Sequence, residues 1–301
     1  MPRINRQSVS YLTRRFKEVG LRPDKRRGQN FLIDLNLIQL LANSAEVSDR
    51  DVVLEVGTGT GSLTGLLAPL AAAVVTVEID SHLCQLASEE LVDYDNVEML
   101  HQDALKNKNN FDPRVLDAVQ QHLDAAPERQ FKLVSNLPYS VATPIIANLL
   151  SGDVTPTSMT VTIQKELADR ILAGPGTKDY GALSIWMQSQ CHVSLVRVLP
   201  PNVFWPRPKV DSAIIHIEVD SSLRDRIEDL NFFHQFVRSM FFHRRKFLRS
   251  VLISAMKGDL DKPAVDEIMD ELGLAADSRA EQLDVERMLE LSRAVQARLE
   301  S

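Results

Sequence analysis

From Asp51 onward the chain alternates short apolar runs with amphipathic stretches, and this alternation restricts its fold more than any other feature. "DVVLEVG" reads as a strand and "SLTGLLAPL" as the helix after it. "AVVTVEID" is a second strand, and "SHLCQLASEELV" a helix with Ser81 as its N-cap. "VEMLHQDAL" supplies a third strand and "FKLVSNLPY" a fourth that runs into a loop. "TSMTVTIQ" is a fifth, followed by the helix "KELADRILAG", which Gly174 and Pro175 close. "CHVSLVRVL" and "SAIIHIEV" are late strands on either side of the proline-rich "PPNVFWPRPKV". Strands joined through helices pair in parallel, because the crossover returns the chain to the same end of the sheet. The expected class is α/β, with ligands at the carboxyl ends of the strands. Residues 106–130 are polar and are expected to hold a helix between the third and fourth strands.

After Ser222 the strand signal ends. "FFHQFVRSMFFHRRKFLRSVLISAM", "PAVDEIMDELGL" and "DVERMLELSRAVQARLE" have helical apolar spacing. The expected organisation is a basic arm over 1–30, an α/β domain over 31–222 and a small all-helical domain over 223–301. The most apolar stretch, "LLAPLAAAVVTV", is short and contains Pro69; it reads as a helix end and a buried strand, so no membrane span is expected. No apolar segment follows the N-terminal charges, which argues against a signal peptide. Cys84 and Cys191 are isolated, with no CxxC and no nearby histidine pair. That pattern points to a reducing, cytoplasmic setting and to no structural metal.

The net charge of −7 conceals an asymmetry. Residues 1–30 hold nine Lys/Arg and two Asp/Glu, so the remaining 271 residues carry −14. The arm includes Arg14, Arg15, Lys25, Arg26 and Arg27. A second cluster, "RSMFFHRRKFLR", has five basic residues and no acid, among them Arg244, Arg245 and Lys246. Such a distribution suits a polyanion met at defined patches. On charge alone, a solvated arm and a solvated helix face are the simpler account.

"LEVGTGTGSLT" places Gly57, Gly59 and Gly61 where a strand turns into a helix, so a ligand can approach the backbone and the helix N-terminus. Glu78 ends the second strand 21 residues after Gly57, the spacing at which a carboxylate grips ribose hydroxyls in such sheets. Asp103 ends the third strand, where it can accept from an adenine amine. A dinucleotide fingerprint would need glycine where Ser62 stands. Glu55 near the turn repels a pyrophosphate and suits a cationic ligand, which favours S-adenosylmethionine over NAD. A surface carboxylate is an equal reading of Glu55 alone.

The fourth strand runs into "SNLPYSVATP". Asn136 falls on the same rim as the glycine turn. Its amide oxygen and a backbone carbonyl of Leu137–Pro138 can accept both hydrogens of an exocyclic amine, because Pro138 stiffens the loop and offers no N–H. Tyr139 supplies a face for a base to stack on. Two acceptors that hold an aryl amine out of conjugation stabilise the charge developing on its nitrogen. In isolation these four residues read first as a proline-stiffened turn with an asparagine cap.

With "RGQNFLID" before them and "VFWPRPKVDSAI" and "FFHRRKFLRS" after, these motifs stand in the order of an adenine-amino methyltransferase. From about Gly28 to Arg249 the chain resembles the small-subunit rRNA adenine dimethyltransferase family, and "IQKELADRILAGPGTKDYGALS" adds to the likeness. The resemblance implies a Rossmann-like class I methyltransferase domain and a helical C-terminal domain that helps grip rRNA. It implies S-adenosylmethionine as donor and dimethylation of two adjacent adenosines near the 3′ end of small-subunit rRNA, within a pre-ribosomal subunit and by a monomer. Carried over by position, donor binding falls to Asn30, Leu32, Gly57, Glu78, Asp103 and Asn136, with Gly59 in the same turn. Asn136, Leu137 and Tyr139 would hold the adenine, and Phe204 resembles the family's second stacking aromatic; a core phenylalanine is the other reading. The chain departs from the family in its long 106–130 region and its acidity. The rivals are a large-subunit adenine methyltransferase of the macrolide-resistance type, which tends to read Ile at the place of Leu137, and a non-catalytic ribosome-assembly factor on the same fold.

Overall fold

The computed structural model describes residues 8–23 and 28–300. It forms two units: Met1–Ala168 with Ser194–Glu218, and Asp169–Val193 with Val219–Ser301.

In the first unit, α1 (Val9–Glu18) and the short strand β1 (Phe31–Leu32) precede α2 (Leu35–Ser44). The expected alternation then follows: β2 (Asp51–Val56), α3 (Thr64–Leu67), β3 (Ala73–Glu78), α4 (Ser81–Leu91) and β4 (Val97–His101). Residues 106–130 contain the expected helix α5 (Pro113–Asp124), and also most of a hairpin, β5 (Leu105–Asn107) with β6 (Asn110–Phe111), that apolar periodicity did not reveal. Next come β7 (Gln130–Asn136), α6 (Ala142–Ser151), β8 (Ser158–Gln164) and α7 (Lys165–Leu172). Along the chain the helix α8 (Ala182–Gln188), the strands β9 (Cys191–Leu199), β10 (Phe204–Trp205) and β11 (Ser212–Val219), and a short helix α9 (Ser221–Arg224) follow, α8 and α9 belonging to the second unit.

Seven strands make one sheet in the order β4-β3-β2-β7-β8-β11-β9. β2, β3, β4, β7 and β8 run parallel, and β11 is antiparallel to β8. The strand order reverses between β2 and β7, so their carboxyl ends diverge into a crevice where a ligand can enter. Every residue of β2 and β3 is buried, which is why both read as mainly apolar on both faces rather than as alternating runs. The N-cap of α4 is Asp80, not Ser81: Asp80 is extended and its Oδ1 accepts from the His82 and Leu83 N–H groups.

The second unit contains α10 (Leu230–Phe241), α11 (Leu248–Ala255), α12 (Lys262–Glu271) and α13 (Val285–Glu300). It also takes in residues 169–193, which the expected boundary at Ser222 had left in the α/β domain. The buried Tyr180 hydroxyl donates to the Leu283 carbonyl (2.8 Å) and fixes that segment to its own unit. The long helix expected across "FFHRRKFLRS" is two helices joined by a turn over 242–247. Buried Phe233, Phe236, Val237 and Met240 form one apolar stripe, and Leu248, Val251 and Leu252 the next. A continuous helix would have set Arg244 into that stripe, so the chain turns instead.

Candidate active site

The glycine turn after β2, the ends of β3 and β4, and the loop after β7 enclose a cavity of about 260 Å³. Of the residues expected to bind the donor or hold the adenine, Asn30, Leu32, Gly57, Gly59, Glu78, Asp103, Asn136, Leu137 and Pro138 all line it. Tyr139 and Phe204 do not.

Gly57 adopts φ +90°, and a side chain there would meet the Pro138 ring at 3.3 Å. The glycine turn and the "NLPY" loop are thus packed against each other, which explains glycine at this position twice over: in backbone conformation and in space. Gly28 closes the other side, at φ +69°, where a side chain would come within 3.1 Å of the Tyr139 nitrogen.

Glu78 is 5% exposed. Its Oε2 accepts the Gly59 N–H, and its Oε1 accepts those of Ile79 and Asp80, each at 3.0 Å. Burial raises its pKa and the three N–H donors pull it back. A carboxylate offers about four lone-pair sites, so Oε2 retains capacity for a hydroxyl. Asp103 is exposed; its Oδ1 accepts the Leu105 N–H at 2.9 Å.

Glu55 corrects the electrostatic argument for a cationic ligand. It is 1% exposed, on the strand rather than the surface, and its Oε2 accepts hydroxyl hydrogens from Thr64 (2.5 Å) and Thr76 (3.0 Å). Burial pushes its pKa up to about 8, so the group is mostly neutral near pH 7 and cannot select between a sulfonium and a pyrophosphate. The hydroxyls were missed in the sequence. The available signal was Thr76, a polar residue inside the apolar stretch of β3, which pairs in register with Glu55.

The Asn136 side-chain N–H donates to the Asn30 carbonyl (3.1 Å), and the Asn30 amide donates to the Gly28 carbonyl (3.1 Å). This chain leaves the Asn136 Oδ1 as an acceptor beside the cavity. The Pro138 carbonyl is engaged by the Val141 N–H (3.0 Å), so of the two loop carbonyls only Leu137's remains for a ligand. Ser135 ties β7 to β2 through the Val56 carbonyl (2.7 Å). The Tyr139 ring is half-buried and its hydroxyl is hydrogen-bonded to Ser212 of β11; Ser212 is another residue the sequence reading missed.

Phe204 is corrected. It is 2% exposed within the core formed by Leu32, Ile38, Leu41 and Ile214. β10 pairs with β1 in the register Leu32↔Phe204, which sets the two side chains on one face and turns the phenyl ring inward.

The basic arm is only partly available. Arg15 pairs with Glu18 (2.7 Å) and Glu89 (2.5 Å), and Arg14 lies 3.8 Å from Glu18 and 5.6 Å from the Tyr11 ring centroid. Lys25, Arg26 and Arg27 lie outside the described residues. In the second unit Arg244 is engaged by Glu281 (2.5 Å) and by the carbonyls of Lys178 (2.5 Å) and Thr177 (2.9 Å). Arg245 and Lys246 are exposed. Among the described residues no helix is long and apolar enough to cross a membrane, and no cluster suited to a metal occurs.

The fold is similar to the crystal structure of a dimethyladenosine transferase from Plasmodium falciparum (TM-score 0.74, 24% identity, 88% of this chain and 97% of that one). It is also similar to that of the 23S rRNA methyltransferase ErmE (TM-score 0.61, 24% identity, 89% and 100%). By sequence, the chain is similar to the ribosomal RNA small subunit methyltransferase A of Halothermothrix orenii, 38% identical over 278 residues that cover 92% of this chain and 89% of that protein. It is 39% identical over 279 residues to the protein of the same name from Listeria innocua, covering 92% of each. The family model described as ribosomal RNA adenine dimethylase matches residues 21–296. That span contains both units apart from their ends and every residue that lines the cavity, and on it the chain belongs to the ribosomal RNA adenine dimethylase family.

Proposed function

We propose that this protein transfers methyl groups from S-adenosylmethionine to the exocyclic amines of two adjacent adenosines near the 3′ end of small-subunit rRNA. It acts as a monomer on a pre-ribosomal small subunit in the cytoplasm. The observation that carries this reading is one cavity lined both by nucleoside-type acceptors and by the acceptors an arylamine needs. The choice of the small subunit over the large follows the relatives of that name.

The cavity suits the donor. Glu78 has acceptor capacity for a ribose hydroxyl and Asp103 for an adenine amine, with the apolar Ile79, Leu83 and Leu105 alongside for the purine. Asn30, Leu32, Gly57, Gly59 and Asn136 complete the set that would hold it. When bound, S-adenosylmethionine supplies an electrophilic methyl group on a sulfonium sulfur.

The protein's own part is to position and polarise the amine. One hydrogen goes to Asn136 Oδ1 and the other to the Leu137 carbonyl, which draws the nitrogen lone pair out of the ring and stabilises positive charge as it develops. Buried packing holds Leu137 in place (1% exposed) and Pro138 wedges against Gly57, so both acceptors are fixed before the substrate arrives. Tyr139, anchored through Ser212, offers its ring to the extruded base.

Incubation with labelled donor and undermethylated small or large subunits tests the reading. Label in dimethyladenosine of small subunits alone is expected. Label confined to large subunits would assign the macrolide-resistance type of activity, and no label in either would leave a non-catalytic assembly role.

A further inference from the structure

The turn between α10 and α11 carries two aromatic rings that their own unit leaves in solvent. Phe242 is 81% exposed and Phe247 47%, whereas Phe233 and Phe236 of the same stretch are buried. Between the exposed pair stand His243, Arg244, Arg245 and Lys246. The Arg244 bonds to Glu281, Thr177 and Lys178 brace the turn, and Arg249 is engaged by Asp266. Among the described residues, Arg245 and Lys246 pair with no carboxylate. The His243 ring meets the Phe242 ring edge-on at 5.0 Å, and the Arg279 guanidinium lies 5.7 Å from the centroid of Phe247. The result is a braced turn with an open aromatic face flanked by free cations.

Resting on the function proposed above, we infer that the 242–247 turn is a stacking site for an unpaired nucleotide of the RNA. Phe242 takes the base and Arg245 and Lys246 neutralise the phosphates beside it. The charge on the turn selects the occupant. A second copy seated on this face would bring the same cations into opposition, and an apolar peptide would leave them unused. Paired bases are inaccessible to an aromatic face because each is already stacked, so the site takes single strands, loops or bulges.

The test is binding of the full chain to a short oligo-adenylate, and to a duplex of equal length, at several salt concentrations. Phe242→Ala should weaken binding to the single strand about tenfold while its log–log salt slope and duplex affinity stay as in wild type, because stacking releases no counterions. Lys246→Glu should lower affinity and flatten the slope. Phe242→Trp should bind at least as tightly as wild type and show extra indole emission that RNA quenches; Phe242→Leu should behave as the alanine variant. Phe242 is exposed, so the substitutions leave the core intact, and circular dichroism confirms it. Single-strand affinity of Phe242→Ala within twofold of wild type overturns the inference. So does Phe242→Leu matching wild type, or a concentration-dependent dimer in sedimentation that Phe242→Ala abolishes. Wild-type methylation of small subunits together with unaltered binding by Phe242→Ala would remove this site and leave the proposed function standing.

Discussion

Asn136 and Glu55 are both polar groups at the ends or interiors of buried strands, yet burial serves opposite purposes in them. Asn136 anchors its N–H on Asn30 and keeps its oxygen free. Asn136→Ala should weaken donor binding only partly but slow single-turnover methylation at saturating donor by ~100-fold or more, because its oxygen acts chiefly as charge develops on the amine. A rate within a few-fold of wild type would make "NLPY" a structural turn. Glu55 is held neutral. Its folded pKa of about 8 stands above the ordinary 4.5, so between those values the folded state keeps a proton that the unfolded state has lost. Stability is fully present below the unfolded pKa and declines by up to about 1.4 kcal/mol per pH unit as pH rises toward the folded one. Thermal unfolding from pH 5 to about 8 should therefore show wild type losing stability relative to Glu55→Gln, which cannot ionise. Parallel curves would contradict the raised pKa.

At the scale of elements, the end of β3 is stitched to the glycine turn. The residue reading of Glu78 assigned it to ribose alone, but its carboxylate also takes the N–H groups of Gly59, Ile79 and Asp80. Glu78→Ala would strip three donors of their partner and loosen the turn as well as the ligand. Glu78→Gln separates the two roles better, since it keeps the size and one oxygen. It should lower affinity for S-adenosylmethionine by about tenfold or more in calorimetric titration, from loss of a charge-assisted bond, with at most a modest change in melting temperature. Unchanged affinity in the folded variant would remove Glu78 from the donor site.

Across the whole molecule, the charge of −14 outside residues 1–30 repels RNA and confines docking to basic patches. Arg15 is neutralised by Glu18 and Glu89, and Arg244 by Glu281, so Arg245 and Lys246 carry the phosphate binding proposed for the described residues. Reversing both to Glu should weaken binding to small subunits and flatten the log–log salt slope by roughly 0.7–0.9 for each phosphate left without its cation. Donor affinity should not change, because neither residue lines the cavity. Titrations at several salt concentrations measure this, and a reversed variant with wild-type affinity and slope would return "RRK" to a solvated turn.

The apolar runs located β2, β3, β7 and β8, because strands buried on both faces along most of their length favour apolar residues with few polar ones between them. The glycine spacing, the acids at the strand ends and the "NLPY" loop pointed to one rim, since a parallel sheet puts all its carboxyl ends there. Gly57, Gly59, Glu78, Asp103, Asn136, Leu137 and Pro138 do line one cavity. Asn30 and Leu32 line it too, and were expected from the resemblance alone. What remained depended on partners distant in sequence. Between Asp80 and Ser81 both residues are competent N-caps, and only the extended backbone at Asp80 decides. The burial of Phe204 follows from pairing with a strand more than a hundred and fifty residues earlier, and the neutral state of Glu55 from the burial that packing imposes on it, against which the Thr64 and Thr76 hydroxyls pull only in part. The recruitment of 169–193 to the second unit rests on Tyr180 meeting the Leu283 carbonyl, and the bracing of the 242–247 turn on Arg244 meeting Glu281 and the carbonyls of Thr177 and Lys178, partners that local spacing cannot foresee. Local pattern reports whether a side chain wants to be buried; which neighbour receives it is settled only when the elements pack.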